Sequence, residues 1–294
     1  LLGNISRERV DARLPVSRTS LSSTTDEQKY CSVVKVQAVW EPPQQTRHHY
    51  DSDALLNVPP LISVHARRVA DWLGLRPVGW IFSYDDNRND DTEDSLPVYQ
   101  SDIQEAAVLQ IHNMKNAGRT DGCCFATLAM DARTGATEAF QLSDVCVQMV
   151  AEGMIVANDE KKKDGRYCKT KHAVVVDGKE TQQLDSVLCL VNTAMLSHEG
   201  SFAGNLGSGS SVKKNGSLTN KARKAILKAM DDDDSNDALV LELLCDFSIL
   251  LALDDVLDVK DSERLCKTVQ KWARGQKKGT NLDDDLKLRL KSIL

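Results

Sequence analysis

Apolar and polar residues alternate from Cys31 to Trp40, and this period of two predicts a half-buried strand. One face of the strand would carry the apolar side chains at positions 34, 36, 38 and 40. The Pro42–Pro43 pair ends the pattern, because proline cannot donate a backbone hydrogen bond to a neighbouring strand. Apolar residues at helical spacing then predict a helix that ends at Gly74, and the run "VGWIFSY" directly after it predicts a second strand.

The following region continues this alternation of helices and strands. Ser101 and Gln104 have the spacing of a capping box and predict the start of a helix with an apolar stripe. The segments "CCFATLAMD" and "ATEAFQLS", joined by residues 132–135, predict a hairpin, and a short helix is expected after Ser143. This order of elements predicts an α/β or α+β fold, with a mixed sheet and flanking helices.

Beyond Ile155 the pattern changes. "KHAVVVDG" and "SVLCLVNTAML" are typical of strands, and the Gly/Ser-rich residues 200–217 are typical of a flexible loop. The remainder predicts helices: one through residues 225–230, a nearly all-apolar one from Ala238 to Leu253, one striped by Leu265, Val269 and Trp272, and a last one after Asn281. We therefore expect four regions: an α/β domain at 1–157, a strand-rich extension at 158–199, a flexible loop at 200–217 and a helical C-terminal domain at 218–294.

Composition limits the function. The net charge of −6 argues against nucleic-acid binding, which needs basic side chains to neutralise phosphates. No apolar run reaches the ~20 residues of a membrane span, so we expect no membrane insertion. The eight cysteines are scattered without a Cys-x-x-Cys pair, which favours reduced, mostly buried thiols in the cytoplasm or nucleus. The chain begins with Leu rather than Met, and we expect it to be a fragment of a longer protein.

One motif raises the question of metal chemistry. In the JAMM zinc peptidases a strand ending in Val-Gly-Trp is followed by His-x-His, and an Asp completes a three-ligand zinc site that leaves one position for water. Here Val78 to Trp80 are present, but Phe82 and Tyr84 occupy the histidine positions. Asp102 could match the ligand Asp, yet one carboxylate cannot hold zinc alone. His65 has no histidine one helical turn away, and we interpret it as a surface or core residue. We therefore predict no metal site and no catalytic residue.

Other candidate sites are weaker. Asp231 to Glu242 partly matches an EF-hand loop, but Asn236 replaces the turn glycine, and acids favoured at a helix N-terminus explain the run better. The sequence contains neither a Gly-x-Ser-x-Gly nucleophile elbow nor a phosphate-binding Gly-rich loop followed by Lys and Thr. We expect no cofactor.

Three segments give a resemblance to a known family: "VWEPPQQ" at 39–45, "WLGLRPVGWIFSY" at 72–84 and "EAFQLSDVCVQMV" at 138–150. Their order and intervals resemble the core of the nuclear protein localization protein 4 homologues. "KHAVVVDGKETQQLDSVLCLVNTAM" and "DFSILLALDDVLDVKDSERLCKTVQ" resemble later parts of that family, so the resemblance covers residues 30–275. It implies that 1–157 is an N-terminally truncated MPN-like domain, the JAMM peptidase fold without its metal ligands, followed by a helical C-terminal domain.

The resemblance also implies a function. Members bind ubiquitin and ubiquitin chains, and act with ubiquitin fusion degradation protein 1 as a non-catalytic adaptor of the AAA ATPase valosin-containing protein, in endoplasmic-reticulum-associated and other ubiquitin-dependent degradation. The implied location is the cytoplasm and nucleus, with peripheral association at the endoplasmic reticulum membrane. Phe82 and Tyr84 are then the candidates for a ubiquitin-facing groove at the lost metal site, while burial as a core residue is an equal reading for Phe82.

Two alternatives stay open. The first is a structural MPN subunit of a large assembly, such as the proteasome lid or a translation initiation factor; the extension beyond Ile155 and the "EPPQ" segment argue for the adaptor instead. The second is an active metal-dependent deubiquitinase that takes ligands from the acidic segment Asp85 to Asp94. Carboxylates alone favour magnesium or calcium over zinc, so this alternative ranks lowest.

Overall fold

The computed structural model describes residues 1–9, 30–41, 63–84, 98–117, 124–156, 167–204, 211–213, 216–231, 237–277 and 279–294. Its strands are β1 Leu2–Arg9, β2 Tyr30–Ala38, β3 Arg76–Pro77, β4 Gly79–Tyr84, β5 Ala126–Asp131, β6 Thr137–Leu142, β7 Tyr167–Val176, β8 Lys179–Asp185 and β9 Leu190–Asn192. Its α-helices are α1 Val64–Leu73, α2 Gln100–Ala117, α3 Asp144–Ala151, α4 Asn220–Asp231, α5 Ala238–Leu244, α6 Phe247–Asp254, α7 Val259–Ala273 and α8 Asp284–Ile293.

The strands form three sheets. An antiparallel sheet has the order β2-β1-β3, and a long two-stranded ribbon pairs β7 with β8. The largest sheet has the order β4-β5-β6-β9, in which β4 and β5 are parallel while the other pairs are antiparallel. This mixed sheet with flanking helices confirms the predicted α/β (α+β) fold class.

The predicted strand at 31–40 and the helix that follows it are confirmed as β2 and α1. The side chain of Ser63 caps α1 by accepting a hydrogen bond from the Ala66 amide at 3.1 Å. Gly74 ends the helix in the left-handed conformation, with φ of 69°, which glycine adopts without steric cost. The hairpin β5–β6 and helix α3, capped by Ser143, also lie where the sequence predicts them.

The capping box predicted at Ser101 and Gln104 is wrong. Helix α2 begins at Gln100, Ser101 is exposed within its first turn, and the Asp102 carboxylate accepts the Tyr99 amide at 2.9 Å. The reason is tertiary. The buried Gln100 side chain donates to the Val156 carbonyl and accepts the Lys169 amide at 2.8 Å, which holds the helix start against β7.

The prediction of a single apolar helix from Ala238 to Leu253 is also wrong. The helix is interrupted at Cys245 and Asp246, which separate α5 from α6. Asp246 has an extended backbone, and its carboxylate accepts the Ser248 and Ile249 amides at 2.8 and 3.2 Å as the N-cap of α6. Its backbone pairs with Ala203, and the Phe247 amide donates to the Phe202 carbonyl. The interruption therefore allows residues 246–247 to form backbone hydrogen bonds with residues 202–203.

The strand predicted across "SVLCLVNTAML" is correct only in its middle. Ser186–Cys189 form a 3-10 helix, whose start is capped by Asp185 accepting the Val187 amide at 3.0 Å. Only Leu190–Asn192 pair with β6 as β9. The segment is largely apolar, so its sequence pattern does not indicate where the 3-10 helix ends and the strand begins.

Buried apolar side chains form two clusters. The first cluster joins Leu2, Ala38 and α1 to helices α4–α8. The second cluster joins β4, β5 and β6 to α2, α3, Cys168 and Cys189. Residues of the predicted domain 1–157 thus contribute to both clusters, whereas those of 218–294 contribute to the first.

Candidate functional site

The candidate site lies on β4, and the Val-Gly-Trp motif explains how this strand fits against β5. Val78 is fully buried, and its carbonyl accepts the Ala126 amide at 3.0 Å. A Cβ at Gly79 would lie 2.3 Å from the Ala126 carbonyl oxygen, so only glycine allows the strands to approach this closely. The motif therefore has a structural role that is independent of any metal.

Phe82, which the sequence analysis aligned with the first histidine of the JAMM motif, lies inside the protein. It is 7% exposed and belongs to the second cluster, with Ala129 as its partner on β5. Its ring centroid lies 4.9 Å from that of Trp80, with the planes tilted by 31°. A hydrocarbon ring in this position has no electron pair to offer a metal, so it contributes packing and nothing to coordination.

Tyr84 lies two residues later on the same face of β4, half-buried against the second cluster. It ends the strand opposite Asp131 of β5, and its carbonyl accepts the Ala132 amide at 2.9 Å. The structure thus places the two candidate residues on one face, with Phe82 inside and Tyr84 at the rim. Of the two, Tyr84 is the one with surface available to a partner.

Asp131 is the carboxylate nearest to Tyr84 along the sheet, and it organises the β5–β6 turn. It accepts the Thr134 hydroxyl at 2.6 Å and the Arg133 amide at 2.8 Å. These hydrogen bonds, that of Thr134 foremost, hold the pKa of Asp131 below its usual range. Both carboxylate oxygens accept hydrogen bonds within this turn, so the side chain stabilises the turn.

The other two residues considered for metal chemistry lie elsewhere. Asp102 is buried at the start of α2 and accepts the Tyr99 amide. His65 is on α1, where its Nδ1 lies 3.1 Å from Asp255 and 3.5 Å from Asp254, at the contact with α6. The sequence analysis interpreted His65 as a surface or core residue. Its side chain is half exposed, so it is a surface residue.

Within the described ranges, no group of three or more His, Cys, Asp or Glu side chains is arranged to hold a metal ion. The acidic segment at 85–94 and the inner positions of the EF-hand-like run, Asp233 and Ser235, lie outside the described residues. Among the described residues, no helix has both the length and the apolar character needed to cross a membrane.

Sequence analysis did not identify an exposed apolar surface beside the outer strand of the mixed sheet. Five large apolar side chains between residues 187 and 196 are each 45–59% exposed: Val187, Leu188, Val191, Met195 and Leu196. We call them the 187–196 surface. They flank and include β9, which is an edge strand within the described part of the chain. Exposed apolar side chains grouped in one segment make it a candidate interaction site, but the strand-like sequence pattern did not indicate which side chains would be exposed.

Comparison with known proteins confirms the resemblance. The chain is similar to an "NPL4-like protein" of Oryza sativa subsp. japonica, with 27% identity over 197 residues that make up 65% of this chain and 44% of that protein. "NPL4-like protein 2" of Arabidopsis thaliana is 26% identical over 231 residues, 77% of this chain and 51% of the relative. The "Nuclear protein localization protein 4 homolog" of Dictyostelium discoideum is 25% identical over 169 residues, 56% and 26% of the two chains. No protein-family model matches the chain. The matches span about half of these relatives or less.

Proposed function

We propose that this chain is the ubiquitin-binding part of a non-catalytic NPL4-like adaptor, which acts with ubiquitin fusion degradation protein 1 and recruits clients to the valosin-containing protein ATPase. The similarity to NPL4-like proteins supports the family assignment. The observation that carries the non-catalytic part is the burial of Phe82 at the position where a JAMM peptidase places a zinc-binding histidine. The same proposal implies that the protein acts in the cytoplasm and nucleus.

Absence of a metal leaves the sheet intact, because Phe82 belongs to the core. Phe82 packs beside Trp80 in the second cluster, and Gly79 keeps β4 close to β5. A fold of this kind preserves a surface after its chemistry is gone. We place Tyr84 on that surface as a ubiquitin contact, and assign Phe82 the supporting role beneath it.

The 187–196 surface is a second candidate contact on the opposite edge of the same sheet. It combines exposed aliphatic side chains with the edge of β9, which is an arrangement that binds a partner through apolar contact and strand pairing. Each contact alone would be weak. A ubiquitin chain could engage two such surfaces at once, so the affinity should rise with chain length.

Titration of mono-ubiquitin and longer ubiquitin chains tests the proposal. The variants are Tyr84→Ala and Leu196→Ser, and Leu288→Ser is the matched control, because Leu288 is equally apolar and exposed but lies on α8. We expect weak binding of mono-ubiquitin, tighter binding of chains, and loss of affinity in the two variants but not in the control. Absence of binding to any chain at high micromolar concentration would exclude a ubiquitin function for this part of the protein. Unchanged binding in either variant would exclude that surface alone.

A second measurement addresses the enzymatic alternative. Elemental analysis of the purified chain and incubation with ubiquitin chains should give no stoichiometric zinc and no cleavage, because Phe82 and Tyr84 supply no imidazole. One zinc per chain together with cleavage that a chelator abolishes would contradict the non-catalytic proposal.

A further inference from the structure

Three cysteines from distant parts of the chain lie together in the second cluster. Cys146 is in the first turn of α3, Cys168 is on β7, and Cys189 ends the 3-10 helix. They are 2%, 0% and 1% exposed, respectively. The Cys189 thiol is in hydrogen-bonding contact with both of the others. We call these residues the cysteine trio.

Backbone hydrogen bonds fix the trio in place. The Ser143 amide donates to the Cys189 carbonyl at 2.9 Å, while the Ser143 hydroxyl accepts the Cys146 amide at 3.2 Å. Cys168 is paired with Leu184 in the ribbon, and β8 leads directly into the 3-10 helix that ends at Cys189. The contact among the thiols is therefore set by main-chain geometry rather than by flexible side chains.

The arrangement makes the three thiols chemically unequal. Hydrogen bonds from Cys146 and then Cys168 lower the pKa of Cys189. Their own contact with Cys189, followed by burial, raises the pKa of Cys146 and of Cys168. Cys189 is the central member of the trio, because it contacts both of the others, and its oxidised form therefore has two thiols within reach.

Access to Cys189 requires only a local opening. The two residues before it, Val187 and Leu188, are exposed, and they belong to the same short 3-10 helix. Opening of one turn at the surface costs far less than global unfolding. Such an opening would let a small oxidant reach the sulfur.

We propose that Cys189 is a redox-modification site, at which hydrogen peroxide converts the trio to an intramolecular disulfide between Cys189 and either Cys146 or Cys168. The Cys189 thiolate attacks one peroxide oxygen, the O–O bond breaks, and the leaving hydroxide takes a proton to become water. The neighbouring thiol then attacks the resulting sulfenic sulfur, forming the S–S bond and releasing the second water. Two thiols and one peroxide thus give one disulfide and two waters.

The other described buried cysteines provide an internal contrast. Cys245 and Cys266 lie in the first cluster, where burial raises their pKa values to about 11 and about 12. The charged groups that act on them are Glu242 and Lys277 for Cys245, and Asp254 and Arg68 for Cys266, with no cysteine among these neighbours in the described residues. They should therefore remain thiols under conditions that oxidise the trio.

Peptide mapping under non-reducing conditions tests the proposal. The folded chain is treated with hydrogen peroxide, its free thiols are alkylated, and trypsin separates the three cysteines because lysines lie between them. We expect a mass loss of two hydrogen atoms and a cross-link from the Cys189 peptide to that of Cys146 or Cys168. The Cys189→Ser variant should lose this cross-link, and the matched control Cys266→Ser should retain it.

A second arm protects the test from variants that fold poorly. Wild-type chain oxidised in urea should give cross-links scattered over all eight cysteines, whereas the folded chain should give those of the trio. The proposal is overturned if the folded chain forms no disulfide through Cys189. It is equally overturned if Cys245 or Cys266 is oxidised first.

Discussion

The two buried clusters differ in how they accommodate carboxylates. Beside the first cluster, two of the buried carboxylates contact arginines from other segments: Asp254 pairs with Arg68, which is 186 residues away, and Asp261 pairs with Arg289 on α8. Near the second cluster, Asp102 and Asp131 accept hydrogen bonds from groups within three residues. The two carboxylates beside the first cluster thus form ion pairs with distant segments, whereas the two near the second cluster accept hydrogen bonds from residues close in sequence.

This difference separates two tasks. Long-range pairs tie α1 to α6 and α7 to α8, and the first cluster holds together parts of the chain that the sequence analysis assigned to different regions. Near the second cluster, Asp102 and Asp131 act on a helix start and a turn, while the buried amide of Gln100 links α2 to β7.

The largest expected effect comes from the ion pair between α1 and α6. Replacing Arg68 by Met leaves the buried Asp254 carboxylate without its arginine, although the half-exposed His65 ring stays 3.5 Å away, and we expect a loss of about 3–5 kcal/mol in the free energy of unfolding. Urea denaturation measures this loss. Hydrogen exchange should show the α1 amides becoming less protected together with those of α7 rather than those of β5.

The controls for this prediction use neighbours and a double variant. Arg67→Met, at an exposed position on the same helix, should change the unfolding free energy little. Among the described residues, Arg68 Nε and Asp254 Oδ1 have no hydrogen-bond partner, so the pair is imperfectly satisfied. Arg68→Met combined with Asp254→Leu should therefore recover most of the loss. Equal exchange protection of α1 in wild type and Arg68→Met would contradict the assignment of α1 to the first cluster.

An intermediate effect is expected at Asp246, the N-cap of α6. Asp246→Ala removes the acceptor of two helix amides and of the Ser211 hydroxyl, and should destabilise the protein by about 0.5–2 kcal/mol. Asp246→Asn, which also caps helices well, should retain most of the stability. Thermal melting of the two variants side by side provides the measurement. A loss as large in Asn as in Ala would show that charge, and not capping, matters here.

The smallest expected effect is a change in pH dependence at the β5–β6 turn. The folded-state pKa of Asp131 lies below its unfolded value, so its contribution is present at neutral pH and is lost as the pH falls through the acid range. Asp131→Asn should flatten the acid limb of a stability–pH curve obtained from urea melts. Asp177→Asn, in the exposed turn between β7 and β8, should leave that limb unchanged. An unaltered limb in Asp131→Asn would assign acid sensitivity to other carboxylates.

Sequence periodicity predicted elements whose signals are local. Strand β2, helix α1 with its Gly74 end, and hairpin β5–β6 follow from alternation, capping and turn residues. The start of α2 and the break between α5 and α6 depend on Gln100 and Asp246, each of which bonds to residues far away in the chain. No window of sequence contains those partners, so propensity alone gave the wrong boundary.

The candidate site shows the same division. The sequence itself shows Phe82 and Tyr84 at the two positions compared with the JAMM histidines, and the burial of Phe82 was one of two expected outcomes. The cysteine trio could not be recognised, because Cys146 and Cys189 approach only after α3, β7 and the 3-10 helix have come together. The division of the chain into four regions and the ubiquitin contacts remain predictions that binding and proteolysis can examine.

The contact between α1 and α6 can form only late during synthesis on the ribosome. Arg68 leaves the exit tunnel 186 residues before its partner Asp254, a delay of ~10–40 s at ordinary rates of synthesis. During that interval the apolar side of α1, with Ala66, Val69 and Leu73, has none of the helices that later cover it. A nascent chain at this stage displays a surface that chaperones bind, so prompt completion of the C-terminal helices protects the newly made protein from aggregation.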